Sequence, residues 1–272
     1  MAVQLFGSIL KRHEKDDKEN KKDALVRILL MSDLHCGSVY AVKHPSYGDM
    51  TNEQKYIFNE WQEMVKREGH IDYLYIGGDI VDGLGRAEDG RYEWTTDITK
   101  QIDCAVDLVN MIDYDKLLVV YGTPYHIDSG LNADEEFAKR IGANAKGWEL
   151  NFKPQGFSDI FHMSHKIGVS SGFYRTTPLA KELVYALLNE KELHKYTGII
   201  RSHAHYFVTV SFTSHFGIIT PAWQSRTPYL VSKGLGLIPK LGYVMLEKYD
   251  KNGTWVIKPQ TFNILKPDLA EV

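Results

Sequence analysis

The chain has 272 residues, of which 43% are hydrophobic and 25% charged, with a formal net charge of −3. Those values suit a soluble globular protein and supply no overall positive field of the kind that draws a protein to nucleic acid or an anionic membrane. No apolar run reaches the roughly 18 residues that a membrane-spanning helix needs. Cys36 and Cys104, which have no paired spacing, suit free thiols in a reducing, cytoplasmic compartment.

In chain order, MAVQLFGSIL places its apolar residues ahead of the mixed-charge run KRHEKDDKENKK (11–22), an order unlike that of a secretory signal peptide. Residues 1–23 are expected to form a charged, mobile lead-in, and residues 24–272 a single domain. ALVRILLMSD (24–33) has the length and apolar content of a buried strand. Thr51-Asn52-Glu53-Gln54 is a capping-box pattern, and Ile57, Trp61, Met64 and Val65 continue it as a helical stripe that stops at Gly69. IDYLYIGGD (71–79) predicts a second strand. The spacing of Ile98, Ile102, Ala105, Val109 and Ile112 predicts a helix over 97–112, and KLLVVYG (116–122) a third strand.

Helices are expected over 132–141 and 178–194. Strands are expected at YTGIIRSH (196–203), YFVTVSF, FGIIT, GYVMLEKY and TWVIK. A β-α-β-α-β first half with apolar strands implies an α/β fold whose sheet is covered on both faces. In such sheets, sites form beyond the carboxyl ends of the strands.

Those ends carry an unusual set of side chains. Asp33 and His35 lie in SDLHCG, Asp79 and Asp82 in GGDIVDG, and His126 in GTPYHID. His203 and His205 lie in RSHAHYF, and His162 and His165 in FHMSHKIG. Each motif alone is weak: GGDIVDG, for one, reads on its own more readily as a helix N-cap, with Asp82 accepting from the backbone. Together they give six or seven oxygen and imidazole donors, too many for one tetrahedral zinc. Two divalent ions about 4 Å apart, sharing a carboxylate and a water, fit the number, and the expected chemistry is hydrolysis of a phosphate ester. The prominence of histidine favours Mn²⁺, Fe or Zn²⁺ over Mg²⁺.

These residues, over roughly 24–225, resemble the calcineurin-like metallophosphoesterases. The resemblance implies a β-sandwich flanked by helices, a four-layer α/β/β/α fold. It implies that Asp33, His35 and His205 bind one ion, that Asp79 bridges two, and that His203 binds the second. Asp82 would orient a histidine. The family's middle histidine has two candidates, His162 and His165, and His165 is preferred because it stands directly before the Lys166-Ile167-Gly168 turn.

One motif departs from the family. Where most members read G-N-H, this chain reads Gly122-Thr123-Pro124-Tyr125-His126. Thr123 holds the place of a ligating asparagine, and His126 stands two residues further out, as a general acid or as a substitute ligand. The G-T-x-x-H form, followed by the acidic NADEEFAKR, resembles a branch found often in bacteriophage and prophage genomes. A phosphodiesterase or nuclease is the expected activity. Alternatives are a phosphomonoesterase acting on a phosphoprotein or small molecule, and a silent binding scaffold. Arg86, Arg91, Tyr92 and Trp94 after GDIVDG, together with Arg226, Lys233 and Lys240, are candidates for contacts to a nucleic acid or nucleotide. Arg175 in GFYRTTP is a candidate phosphate ligand.

Overall fold

The computed structural model describes residues 24–84, 89–124, 132–168, 174–212, 215–234 and 238–266. The expected lead-in over 1–23, Arg86 and His126 lie outside the described residues. Among the described residues, eleven strands form two sheets. The first has the order β11 (Val256–Phe262), β10 (Leu241–Lys248), β1 (Val26–Met31), β2 (Ile71–Ile76), β3 (Tyr114–Val120) and β4 (Ala145–Gly147). β1 to β4 run parallel, and β10 and β11 are antiparallel additions at one edge. The second sheet has the order β5 (Glu149–Phe152), β6 (Phe161–Ser164), β7 (Gly198–Arg201), β9 (His215–Ile219) and β8 (Val208–Phe212).

Alternation along β1 explains the layering, because successive side chains of a strand point to opposite faces. Ile28 and Leu30 face a core between the two sheets, where they meet Tyr75, Val120, Phe161, Met163 and Ile200. Leu29 and Met31 face the opposite side and pack against the helices α1 (Asn52–Glu68), α2 (Ile98–Val109) and α3 (Ala133–Arg140) through Trp61, Leu108 and Phe137. The outer face of the second sheet is covered by α4 (Thr177–Leu188), through Leu179 and Leu183 against Ile199 and Ile219. A short α5 (Pro228–Ser232) follows β9. The layers are α/β/β/α, as the resemblance implied.

α1 begins where expected, with both halves of the Thr51–Gln54 capping box formed. Two departures concern other elements. α4 ends at Leu188 rather than 194: at Asn189 the backbone leaves the helical region (φ −110°, ψ 27°), and its N–H and its side-chain amide both donate to the Tyr185 carbonyl. The short strands β4 and β5, at 145–152, carry too little periodicity to announce themselves. No helix among the described residues is long and apolar enough to cross a membrane.

Candidate metal centre

The parallel strands β1, β2, β6 and β7 all end on one side of the molecule, and the chain beyond each end carries one or two of the donors. Asp33 and His35 follow β1, Asp79 follows β2, His165 follows β6, and His203 and His205 follow β7. Backbone hydrogen bonds join these exits. The Asp33 N–H donates to Gly78 O and the His35 N–H to Asp79 O, both at 3.0 Å, while the Ser202 N–H donates to His165 O at 2.9 Å. The exits lie directly against one another.

Among the described residues, six that are not glycine have a left-handed backbone, and five of them are Asp33, His35, Asp79, His203 and His205. Asp and His tolerate that region better than most residues, yet it still costs of order 1–3 kcal/mol at each position. Such concentration at five polar strand-end residues marks a place where geometry is held against local preference.

The donors form two groups, each with its ligand atoms within 4.8 Å of one another: Asp33, His35 and His205, and Asp79, His165 and His203. In the first, His35 Nε2 lies 3.2 Å from His205 Nε2, and His205 Nε2 lies 3.3 Å from Asp33 Oδ1. In the second, His165 Nε2 is 3.0 Å from Asp79 Oδ2 and 3.2 Å from His203 Nδ1. The groups touch, since the His203 N–H donates to Asp33 Oδ2 at 3.2 Å. Asp33, His35, Asp79 and His165 are buried, whereas His203 and His205 are partly exposed and form the open side.

Neighbouring groups fix the rings. His35 Nδ1 lies 2.6 Å from Asp82 Oδ1, which also accepts from the Gln224 side-chain amide. His165 Nδ1 lies 2.6 Å from Gly77 O. A ring whose Nδ1–H is donated in this way turns its Nε2 lone pair inward. Asp33 Oδ1 and His205 Nδ1 are buried without a hydrogen-bond partner among the described residues. That orphaned oxygen, beside convergent imidazole nitrogens, is a donor set that divalent cations fit. Burial raises the Asp33 pKa, but the charge and hydrogen bond of His205 and the charge of His165 together outweigh it and take the carboxyl to about 2. Burial would lower the pKa of His165, and the Asp79 carboxylate reverses this and lifts the ring to about 10.

Thr123 touches the centre through Asp79. Its N–H donates to Asp79 Oδ1 at 2.6 Å, and its hydroxyl lies 3.1 and 3.3 Å from the two carboxylate oxygens. His162 is not brought to the centre: it lies 3.5 Å from Glu149 and packs edge-on against Tyr196. The guanidinium of Arg175 lies 4.9 Å over the ring of Tyr206, the residue after His205. Among the candidate substrate contacts, Trp94 packs against Tyr47 and Lys43, Arg226 donates to Gly234 O, and Tyr92 meets Tyr40 at 5.8 Å.

Asp134, within the acidic run already noted, is a contact that sequence reasoning did not single out. Its Oδ2 accepts from the N–H of Gly122 at 2.6 Å and of Asp79 at 3.1 Å, and its Oδ1 from Ile80 at 3.1 Å. Burial and the Asp79 charge raise its pKa to about 6 against the pull of those N–H groups.

Residues 26–207 match a protein family described as calcineurin-like phosphoesterase. No curated protein matches the chain. Solved structures similar to it include a vacuolar protein sorting 29 (Vps29) from Entamoeba histolytica complexed with zinc, at 13% identity and a TM-score of 0.45, covering 88% of this chain and 100% of that one. An archaeal phosphodiesterase is 12% identical at a TM-score of 0.46, covering 85% and 99%. The vacuolar protein sorting 29 of Cryptosporidium parvum is 12% identical at 0.40, covering 89% and 100%.

Proposed function

The chain belongs to the calcineurin-like phosphoesterase family, and on that premise we propose that it is a two-metal phosphoesterase acting on phosphodiesters, nucleic acid or nucleotides among them. Asp33, His35 and His205 would hold one divalent ion, His165 and His203 the other, with Asp79 shared between them. The observation that carries the reading is the pair of touching three-donor groups, each made of one carboxylate and two imidazoles. Mn²⁺ is the preferred ion for such mixed donors, with Fe and Zn²⁺ as the nearest alternatives.

Divalent ions held there would lower the pKa of a nucleophilic water and stabilise charge on the phosphoryl oxygens. The chain's own residues do the rest. Asp82 and Gly77 O orient His35 and His165, while Thr123 holds both oxygens of Asp79 in place. His203 and His205, on the open side, would border the approach of substrate, and Arg175, whose guanidinium lies over the ring of Tyr206, would meet a phosphate oxygen. His126 is assigned the general-acid role toward the leaving-group oxygen.

The test is metal content and hydrolysis of bis-p-nitrophenyl phosphate with added Mn²⁺. The wild type is expected to hold two ions and turn over, and Asp79→Asn to lose both properties. His126→Ala is expected to keep both ions and lose about 10²–10⁴ in kcat. An Asp79→Asn protein with full Mn²⁺-dependent activity would refute the shared-carboxylate arrangement, and a single ion in His126→Ala would make that residue a ligand instead.

A further inference from the structure

We propose that Asp134 is a positioning residue of the metal centre, holding the backbone that presents Asp79 and Thr123; this rests on the two-ion reading above. Asp134 lies in the first turn of α3, is buried, and reaches across to the ends of two strands. The three N–H groups it gathers are not arbitrary. One belongs to Asp79, one to the residue after Asp79, and one to the residue before Thr123. A single carboxylate therefore ties the exit of β2 to the exit of β3.

The closeness of that tie is visible at Gly122. A Cβ there would lie 2.0 Å from Asp79 Oδ1, 2.2 Å from Asp79 N and 2.9 Å from Asp134 Oδ2. No side chain other than hydrogen fits while Asp134 and Asp79 keep their places. Asp79 itself is held at φ 47°, a conformation that needs support from its surroundings. With the backbone pinned by Asp134, the Thr123 N–H and hydroxyl fall on the Asp79 carboxylate from the other side. In this chain Asp134 below and Thr123 above grip the shared carboxylate. Thr123 thus serves the second donor group through Asp79 rather than as a ligand of its own.

Replacing Asp134 with Asn keeps the volume but gives the side chain one acceptor oxygen and an NH₂. Whichever way the amide turns, a donor faces a donor, at either Ile80 or the Gly122 and Asp79 pair. The expected effect is a displaced Asp79 and weaker binding of both ions, the second above all.

The experiment is calorimetric titration of chelator-treated protein with Mn²⁺, with bound ions counted by electron paramagnetic resonance and folding followed by circular dichroism. Wild type is expected to take up two ions. Asp134→Asn is expected to bind both ions more weakly, the second, whose only carboxylate is Asp79, by about 10- to 100-fold and the first, which also has Asp33, by less, the usual effect of removing a group that orients a ligand. If Asp134→Asn is insoluble, Asp134→Glu, which keeps the charge but carries it one methylene too far, gives the same readout. A folded variant that binds both ions with wild-type affinity overturns the proposal, even if its melting temperature falls. A wild type that binds fewer than two ions overturns the two-ion reading, and the proposal with it.

Discussion

Asp82 and the Gly77 carbonyl have the same task at two different imidazoles, one as a carboxylate and one as a peptide oxygen. Their legibility differs for that reason. Asp82 stands three residues after Asp79 in a recognisable motif, whereas a carbonyl leaves no mark on the sequence. Asp134 was hidden for a related reason: its partners are backbone N–H groups, and an acid at the start of a helix ordinarily needs no further explanation. The strand-end Asp and His residues were legible because a polar pair closing an apolar run is rare. Asp82 also supports a prediction. Asp82→Ala removes the acceptor of His35 Nδ1 without touching a ligand atom, so the affinity of the first donor group for Mn²⁺ should fall about 10- to 100-fold. Isothermal titration checks this, and unchanged affinity would mean that the ring is held by other contacts.

At the scale of elements, the apolar strands and capped helices were readable from periodicity, and the ends of elements less so. α4 stops six residues early, where Asn189 leaves the helical backbone region, and β4 and β5 pair through backbone groups that periodicity does not register. The connections matter more for substrate. The segment before α2 folds back on the exit of β1, with the Val39 N–H donating to Tyr92 O and the Trp94 N–H to Gly37 O. This brings Tyr40 and Tyr92 together next to the bridge between Ala41 and Gln224, whose side chain contacts Asp82. On the proposed diester reading, this aromatic pair would offer a surface for the second arm of the substrate. With Mn²⁺, kcat/KM should therefore be higher for bis-p-nitrophenyl phosphate than for p-nitrophenyl phosphate. Steady-state kinetics decide it, and the reverse order would favour a phosphomonoesterase.

Across the whole molecule, two polar centres occupy opposite ends of the first sheet. The two donor groups of the candidate metal centre lie beyond the carboxyl end of β1, and a buried charge network lies at its amino end. There Arg27 bonds Glu68 and Glu247, and Glu247 also pairs with Lys258. Burial works to raise the Glu247 pKa, but its bonds to Lys258, Tyr249 and Arg27 overcome this and hold it below the ordinary carboxylate value. A lowered folded-state pKa means that the stabilisation is complete above the unfolded value and is lost as pH falls through the folded one. Glu247→Gln should therefore cost about 3 kcal/mol at neutral pH, as expected for breaking a buried pair, and the difference from wild type should narrow on acidification. Urea midpoints at about pH 7 and about pH 3.5 measure both; a difference that does not change with pH would exclude the ionised pair as its cause.

Each donor group draws on both sheets: Asp33 and His35 from the first with His205 from the second, and Asp79 from the first with His165 and His203 from the second. During synthesis the three donors of the first sheet leave the ribosome some 80 residues or more before the nearest donor of the second. The nascent first half holds two carboxylates and one imidazole, which are two of the three donors of one group and one of the three of the other. On the two-ion reading, capture of an ion would wait until the two sheets have docked, and the ion would then fasten one sheet to the other. A chain interrupted before His203 would carry the first sheet's share of the donors yet lack the means to close either group.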